Sequence, residues 1–375
     1  MMVALFIVTF IYIILILFFV IGFDRVKEFH SESTNVNTNF SIIVPFRNEE
    51  ENLPNLLTSI LQLQYPKEQF ECLFVNDESD DKSVDTIHDA LQGTNVKYKV
   101  IDNQRKSLSP KKDAIETAIY IAQFDWIITT DADCILPKMW LHEFTKFIDN
   151  YNSKMVVGPV NYVSQRPSFL ENFQILDFLS LQGATVGGFG IGKPFLCNGA
   201  NLAYQKETFL ELNGFQGNNT IASGDDIFLF EKIQRVYPKQ VHFLKSTAAI
   251  VQTYTLKTWK ELINQRMRWA AKSSSYGLLT GKIVGFIVLL MNLAMIIAII
   301  GFFMDRENSL NHFLIILLKF GIDLVIIVKT SSFYNNEKRV KDIGFGSLLY
   351  PFFSVFIILK TLVSQYKWKG RKFKK

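Results

Sequence analysis

Cysteine and histidine are both scarce in this 375-residue chain. Its three cysteines, Cys72, Cys134 and Cys197, lie at no metal-binding spacing and are too few for a disulfide framework, so we expect reduced core residues. The five histidines are equally dispersed, which argues against a zinc site. No nucleic-acid-binding motif accompanies the net charge of +5. These absences argue against a disulfide-stapled, zinc-dependent or nucleic-acid-binding protein.

Charged residues are absent from residues 1–23, and neither a basic segment nor a small-residue cleavage site flanks this apolar run. The run therefore predicts a retained transmembrane anchor. A second uncharged run covers residues 283–303, and weaker candidates cover 312–328 and 343–359. We expect three full spans, because Pro351 and two nearby glycines should break the last candidate into a re-entrant or interfacial element.

The weaker run at 312–328 contains Lys319 and Asp323, which are four residues apart and should pair and face protein. The positive charge is concentrated in a tail of basic residues after position 366. Such a cluster beside a membrane run favours anionic lipid headgroups, and we expect it on the cytoplasmic side.

Strands and helices alternate between residues 40 and 133. Apolar strands are predicted at 40–45, 70–76 and 97–101, and a fourth ends at Asp131. This alternation predicts a Rossmann-like parallel sheet, whose carboxyl ends would bring Asp77 and Asp131 to one edge.

The fourth strand leads into Asp131-Ala-Asp133, and the alternation of strand side chains places both carboxylates on one face. Paired carboxylates suit Mg²⁺ or Mn²⁺, which usually share their remaining positions with substrate phosphates. Taken alone, the short motif is more often a solvated turn with two chance acids.

Three further features have two readings each. Asp225 and Asp226 open an apolar helix, where they are either catalytic acids or caps for the first-turn amides. The glycine run 187–193 has the spacing of a phosphate loop, but Pro194 replaces the required Ser or Thr, so we expect a flexible loop. The amphipathic helix at 258–271 either offers its polar face to a ligand or anchors in headgroups.

Six pieces occur in order between residues 40 and 275. They are V-P-F-R-N-E-E at 44–50, the strand ending at Asp77, the helix with Lys111, D-A-D at 131–133, G-D-D at 224–226 and Q-R-M-R-W at 265–269. Together they resemble the family 2 glycosyltransferases, especially the membrane-bound branch with cellulose synthases, hyaluronan synthases and ceramide glucosyltransferases. The resemblance implies an α/β GT-A fold with a nucleotide-binding first half and an acceptor side in the later half.

The resemblance also implies a role for each matching residue. The donor nucleotide would be bound by Pro45, Arg47, Glu49, Asp77, Lys111 and Asp131. Asp133, together with Asp131, would hold Mg²⁺ or Mn²⁺ on the diphosphate. Asp226 would be the catalytic base and Arg268 would face the diphosphate, while Asp225, Gln265 and Trp269 would lie on the acceptor side. Asp225 is shorter than the glutamate that the family commonly has there.

The expected organisation is a transmembrane anchor (1–23), a linker (24–39), a GT-A catalytic domain (40–256), an interfacial amphipathic helix with Q-x-x-R-W (257–281) and a C-terminal membrane region with a basic tail (282–375).

The expected activity is inverting transfer from a UDP-sugar to a lipid or growing glycan at the cytoplasmic membrane face, since no nucleophile for a covalent intermediate is evident. The expected partners are a nucleotide-sugar donor, that acceptor and membrane lipids, without nucleic acid. Two alternatives are an inactive membrane scaffold of the same fold and a transporter that uses Lys319 and Asp323.

Overall fold

The computed structural model describes residues 1–30, 36–218, 223–273, 277–364, 366–369 and 371–373. Part of the expected linker (31–35) and the tail residues Lys374 and Lys375 therefore lie outside the described residues. The α-helices are Met2–Arg25 (α1), Leu53–Leu61 (α2), Ser83–Leu91 (α3), Pro110–Ile121 (α4), Trp140–Asn150 (α5), Phe169–Gly190 (α6), Lys206–Glu211 (α7), Asp225–Val236 (α8), Trp259–Ser273 (α9), Leu279–Met304 (α10), Ser309–Phe333 (α11) and Ile343–Val363 (α12). The strands are Phe40–Phe46 (β1), Phe70–Asn76 (β2), Lys97–Asp102 (β3), Trp126–Thr129 (β4), Cys134–Ile135 (β5), Met155–Val157 (β6), Val160–Val163 (β7), Leu202–Gln205 (β8), Val241–Phe243 (β9), Val251–Tyr254 (β10), Tyr366–Trp368 (β11) and Arg371–Phe373 (β12).

The chain divides into two compact units, which are described separately. The sheet unit comprises Lys27–Val163 and Cys197–Tyr254, and the helical unit comprises Met1–Val26, Ser164–Leu196 and Thr255–Lys375. Residues 164–196, which the sequence placed inside the catalytic domain, thus group with the helices.

A mixed sheet in the described part of the sheet unit has the strand order β3-β2-β1-β4-β8-β6-β9. Its first four strands are parallel, as predicted, while β8 runs antiparallel to both β4 and β6. The chain order reverses beside β1, so the carboxyl ends of β1 and β4 lie at a topological switch point, the position where open α/β sheets hold ligands.

Burial explains why these strands form the core. Nearly every residue of β1, β2 and β4 is buried, as expected for parallel strands covered by helices on both faces. β3 lies at the edge of the sheet and exposes Lys97 and Lys99, charges that discourage pairing with another chain. Helix α2 buries Leu53, Leu56 and Ile60 completely, and each such side chain contributes about 1.5–3 kcal/mol of transfer free energy.

Asn201, a fully buried residue before β8, joins several parts of the sheet unit. Its Oδ1 accepts from the Trp140 indole at 2.9 Å, and its Nδ2 donates to the carbonyls of Pro159 and Ala249 at 2.8 and 2.9 Å. A Cβ on Gly158 would lie only 2.4 Å from this amide, so the backbone approach requires glycine.

Glycines bring α1 and α6 together in the helical unit. A Cβ on Gly190 would lie 1.8 Å from the carbonyl oxygen of Gly22, and one on Gly187 would lie 2.5 Å from that of Phe19. The expected flexible loop at 187–193 is therefore wrong, because Gly187 to Gly190 form the end of α6. Small residues allow this close helix packing, which overrides the weak helix propensity of glycine.

Three helices in the described residues are long and apolar enough to cross a membrane: Met2–Arg25, Leu279–Met304 and Gly344–Val363. The first two agree with the expected spans. The expected break at Pro351 is wrong, because α12 is continuous through this proline. Neighbouring helices can satisfy the backbone groups that an internal proline frees. α11, which contains the expected span 312–328, is not among the three.

The predicted pairing within α11 is confirmed. The Lys319 ammonium lies 2.5 Å from the Asp323 carboxylate, and the two side chains are only 3% and 16% exposed. The Tyr12 hydroxyl of α1 donates to the same carboxylate at 2.6 Å. The charges therefore face protein, as expected.

Candidate active site

Arg47 and Asp77 meet where β1 and β2 end. Arg47 Nη1 donates to the backbone carbonyl of Asp77 at 2.6 Å and lies 3.4 Å from the carboxylate of Glu78. Pro45 is the penultimate residue of β1, paired with Val75. The parallel pairing of β1 with β2 thus brings Arg47 beside Asp77, and because β4 is parallel to the same sheet, Asp77 and Asp131 follow strands that end at one edge, as predicted.

The Asp77 carboxylate is almost buried and is held by donors that follow β3. Its Oδ1 accepts from Asn103 Nδ2 at 2.7 Å and lies 3.7 Å from Arg105 Nη1. Arg105 Nε also donates to Asp113 at 3.2 Å. The sequence reasoning missed Asn103, Arg105 and Asp113, although the position of Asn103 and Arg105 just after the end of β3 was a usable signal.

Two buried polar atoms here have no hydrogen-bond partner within the described residues: Nε of Arg47 and Oδ1 of Asn103. Buried polar groups are rarely left unsatisfied, so an ordered water or a polar ligand is expected to bind these two atoms. Glu49 differs, because its side chain accepts from Asn52 Nδ2 at 2.6 Å and so supports the start of α2.

Lys111 lies between two carboxylates from distant parts of the chain. Its Nζ is 2.6 Å from Asp131 and 3.3 Å from Asp225. Burial alone would lower the pKa of the Lys111 ammonium, but the carboxylates of Asp131, Asp225 and Asp226 together raise it above its usual value. Lys111 is therefore a permanent cation that links the end of β4 to the start of α8.

Asp131 and Asp133 lie just beyond β4, which ends at Thr129 and not at Asp131 as predicted, so the two acids belong to a turn and strand alternation does not set the directions of their side chains. The Asp131 side chain is 38% exposed despite its contact with Lys111, while Ala132 between the acids is buried. Within the described residues, no three His, Cys, Asp or Glu side chains cluster to hold a metal ion. Burial, followed by the charges of Asp133 and Asp131, raises the pKa of the adjacent Cys134 thiol, which remains neutral. The oxygen donors available here are thus two carboxylates.

Asp225 and Asp226 begin α8, directly after Gly224 in the left-handed region at φ 85°. Asp225 is buried against Lys111, whereas Asp226 is only half-buried. The Asp226 carboxylate accepts from the backbone amides of Ile227 at 2.7 Å and Gly199 at 3.2 Å. The capping reading therefore describes part of what Asp226 does, and Asp226 is the more accessible of the two acids.

Gly199 is another residue to which the sequence analysis gave no role. A Cβ there would lie 3.2 Å from both Asp225 Oδ2 and the Asp226 side chain, and 3.6 Å from Lys111 Nζ. The carbonyl of Gly199 accepts from the Thr129 hydroxyl at 2.7 Å. The turn at Gly199 therefore packs its backbone against both acids.

The Q-x-x-R-W residues belong to α9 of the helical unit. Arg266, to which the sequence analysis gave no role, contacts two of them, Gln265 and Trp269. Arg266 is buried, and its Nε and Nη2 lie 2.7 and 2.6 Å from the Asp177 carboxylate of α6. Its Nη1 donates to Gln265, and its guanidinium lies 4.2 Å from the Trp269 ring centre. Arg268 is half-buried on the same helix.

The sheet unit thus brings together a half-buried cation and several carboxylates at the ends of its parallel strands. Asp77 and its donors follow the ends of β2 and β3. Lys111 contacts Asp131, which follows the end of β4, and Asp225, which precedes Asp226 at the start of α8. In this arrangement Lys111 holds the carboxylates of Asp131 and Asp225, and the more accessible carboxylate of Asp226 can accept a proton.

Two family models match the chain. Glycosyl transferase family 2 matches residues 41–199, and Glycosyl transferase family group 2 matches residues 126–360. The second match covers more than half of the chain.

Relatives of known name agree with this assignment. The chain is 25% identical over 232 residues to the probable glycosyltransferase YdaM of Bacillus subtilis, covering 61% of this chain and 54% of that protein. It is 26% identical over 165 residues to the poly-β-1,6-N-acetyl-D-glucosamine synthase of Staphylococcus epidermidis, covering 43% and 37%. The matches thus span about half of these relatives or less.

Among solved structures, the mannosyltransferase PcManGT of Pyrobaculum calidifontis, in complex with GDP-Man and Mn²⁺, superimposes with a TM-score of 0.58. The two chains are 16% identical, and the alignment covers 96% of this chain and 98% of that one, which shows a shared fold. The mixed sheet is thus GT-A-like, and the chain belongs to the family 2 glycosyltransferases.

Proposed function

We propose that this enzyme transfers a sugar from a UDP-sugar to a lipid or growing glycan, with inversion at the anomeric carbon. The observation that carries the proposal is the position of Lys111 near the strand ends. Its Nζ lies 2.6 Å from Asp131 and 3.3 Å from Asp225, and Asp225 immediately precedes Asp226. A fixed cation beside an accessible carboxylate is what the displacement of a nucleoside diphosphate by a hydroxyl requires.

The nucleoside would bind at the ends of β1 and β2. Arg47, Asp77 and Asn103 are joined there by hydrogen bonds, and Nε of Arg47 and Oδ1 of Asn103 have no hydrogen-bond partner within the described residues. Carboxylate and amide groups can recognise the edge of a base by hydrogen bonds. We propose uracil as that base, while PcManGT is a structure with GDP-Man bound, so the experiment must include both nucleotides.

The carboxylate pair fits a divalent cation. Asp131 and Asp133 would supply oxygen ligands to Mg²⁺ or Mn²⁺, and the donor diphosphate would supply others. When bound, the ion would offset the charge that develops on the departing diphosphate. Lys111 would support this role by holding the Asp131 carboxylate.

Asp226 would take the proton of the acceptor hydroxyl as that oxygen attacks the anomeric carbon. A direct displacement from the face opposite the leaving group inverts the anomeric configuration. Arg268 would face the diphosphate, and Asp225, Gln265 and Trp269 would serve the acceptor side. Arg266 contacts the side chains of both Gln265 and Trp269 and would hold them in place for this role.

We further propose an integral membrane protein whose sheet unit faces the cytoplasm, where nucleotide sugars are available. The three long apolar helices support membrane insertion.

The test is to incubate full-length purified protein and membrane lipids with UDP- and GDP-sugars, with Mg²⁺, Mn²⁺ or EDTA. Mass spectrometry would identify the product, and NMR its anomeric configuration. We expect metal-dependent transfer from a UDP-sugar with inversion, and no transfer by Asp226→Asn. Transfer from a GDP-sugar alone would reject the proposed donor, retention would reject the mechanism, and equal turnover by Asp226→Asn would reject the base. An inactive scaffold would bind the nucleotide and form no product under any of these conditions.

A further inference from the structure

Asp113 is a buried acid in the first turn of α4, two residues after Lys111. An acid at this position interacts favourably with the helix dipole, but an exposed side chain would do the same. Burying a carboxylate is costly unless its surroundings satisfy it with hydrogen bonds or a cation. The burial of Asp113 therefore has to be explained by the groups that it binds.

One carboxylate oxygen of Asp113 accepts three hydrogen bonds from the loop 103–109, which connects β3 to α4. The donors are the backbone amides of Lys106 at 3.1 Å and Ser107 at 3.0 Å, and Nε of Arg105 at 3.2 Å. Three consecutive residues thus converge on one oxygen, as successive backbone amides do around a bound anion. Asp113 fixes both the backbone of this loop and the direction of the Arg105 guanidinium.

Two weaker contacts hold the same loop against later turns of α4. The backbone amide of Gln104 donates to the Thr117 hydroxyl at 3.2 Å, and the Lys106 ammonium lies 5.2 Å from the centre of the Tyr120 ring. Hydrogen bonds to a charged acceptor are roughly twice as strong as those between neutral groups. The carboxylate of Asp113 is therefore the main anchor of the loop on α4.

The free end of the Arg105 guanidinium is directed at Asp77. Its Nη1 lies 3.7 Å from Asp77 Oδ1, which also accepts from Asn103 Nδ2 at 2.7 Å. The same amide nitrogen of Asn103 donates to the carbonyl of Pro110, the first residue of α4, at 2.9 Å. A continuous chain of contacts thus runs from Asp113 through Arg105 to Asp77, entirely inside the sheet unit.

We propose that Asp113 is a positioning residue for the donor nucleotide, which holds the loop 103–109 on α4 and thereby directs Arg105 at the Asp77 carboxylate. The inference rests on the proposed binding of the nucleoside at Asp77 and adds the residue that prepares this site. Asp113 is itself buried, so it acts through Arg105 and not by contact with the nucleotide. The loss of Asp113 should therefore weaken nucleotide binding and leave the chemical step at Asp226 nearly unchanged.

Asp113→Asn keeps the shape of the side chain and removes the charge that holds Arg105. In full-length protein in detergent, we expect the dissociation constant for UDP, measured by calorimetry, to rise about tenfold. The KM for the donor sugar should rise by a similar factor, while kcat at saturating donor should stay within about threefold. Glu116→Gln, which neutralises a half-buried acid on the same helix, is the matched control and should leave both constants within about twofold.

A purely structural role makes a different prediction. If Asp113 only supported the start of α4, Asp113→Asn would lower the midpoint of thermal unfolding of the nucleotide-free protein and leave the affinity for UDP within twofold. That result would overturn the inference.

A double-mutant cycle tests whether Asp113 acts through Arg105. Arg105→Met should also weaken UDP binding about tenfold, and the double variant should lose about 10- to 30-fold in total, well short of the roughly hundredfold product expected for independent residues. Full multiplication of the two losses would overturn the inference. The Arg105 side chain is 31% exposed, so Arg105→Met remains informative even if Asp113→Asn does not fold, and unchanged UDP affinity in that variant would overturn the inference by itself.

The unmodified protein separates this inference from the proposed function. If it binds UDP and the two losses multiply, the positioning role of Asp113 is wrong and the proposed transfer stands. If it binds GDP and not UDP, the proposed base is wrong, and the same cycle run with GDP decides the role of Asp113. If it binds neither nucleotide, the proposed transfer is wrong, and this inference with it.

Discussion

Arg266 and Asp177 form a buried ion pair whose removal should destabilise the helical unit. Their side chains are only 8% and 4% exposed, and Nε and Nη2 of Arg266 both contact Asp177 Oδ2 within 2.7 Å. Arg266→Met keeps much of the side-chain volume but leaves the Asp177 carboxylate buried without its cation. Breaking such a pair costs about 3–5 kcal/mol.

This loss should be visible in the unfolding temperature. For a unit of this size, about 3–5 kcal/mol corresponds to a fall of roughly 6–20 °C in the midpoint of thermal unfolding. Asp177→Asn should lower the midpoint in the same range. The double variant Arg266→Met/Asp177→Leu should recover most of the loss, because a buried ion pair can often be replaced by apolar side chains at little net cost.

The assay is thermal unfolding of the full-length protein in detergent, followed by tryptophan fluorescence, to which Trp269 beside Arg266 contributes. Lys260→Met removes an exposed cation from the same helix and serves as the matched control, with a shift below about 2 °C. A shift of that small size in Arg266→Met, or single-variant losses that simply add in the double variant, would refute the assignment of a strong buried pair.

Asp226→Asn should abolish transfer while leaving the affinity for UDP within a few-fold, because the base acts on the acceptor. A turnover assay measures the transfer and calorimetry measures the affinity for UDP. Turnover comparable to that of the unmodified protein would exclude Asp226 as the base. Asp133→Ala should weaken metal-dependent UDP binding, since the loss of a carboxylate leaves the ion under-coordinated. An unchanged affinity for UDP across a Mn²⁺ titration would argue against Asp133 as a metal ligand. Gly190→Ala should destabilise the protein by about 1–3 kcal/mol, because the added Cβ would overlap the backbone of α1. Gly285→Ala is the control and should have little effect on the midpoint of thermal unfolding. Equal midpoints for the two variants would contradict the close packing of α1 and α6. Burial lowers the pKa of the His242 imidazole, so the unfolded state binds its proton first and stability should fall as pH drops below about 6.5. His242→Gln should reduce that loss between pH 7.5 and 5, and an identical pH profile for the variant rejects the linkage.

Local patterns predicted much of the fold and several parts of the site. The alternation of apolar strands and helices predicted the parallel strands β1 to β4, because side-chain periodicity is a property of neighbouring residues. The pairing of Lys319 with Asp323 was predictable for the same reason, since residues four apart share one helix face. The six ordered motifs were sufficient to indicate the family that the comparisons show.

Local patterns were misleading where packing overrode propensity. The glycines at the end of α6 predicted a loop, and Pro351 predicted a break, yet both lie in helices. In each case contacts with other helices stabilise the helical conformation. Gly190 lets the backbone of α1 approach closely, and neighbouring helices can satisfy the backbone carbonyl that an internal proline leaves without a donor.

The sequence by itself therefore determined the elements, the family and which residue types are available for chemistry. Only the tertiary structure decided which of them meet. Lys111 reaches Asp225 across more than a hundred residues, and Arg266 reaches Asp177 across 89, so no periodicity could connect them. The first contact depends on β8, which returns the chain antiparallel to β4. The second depends on α6, which groups with the other helices and not with the sheet. Long-range pairing is set by burial and charge neutralisation in the folded chain, which spacing along the sequence does not encode.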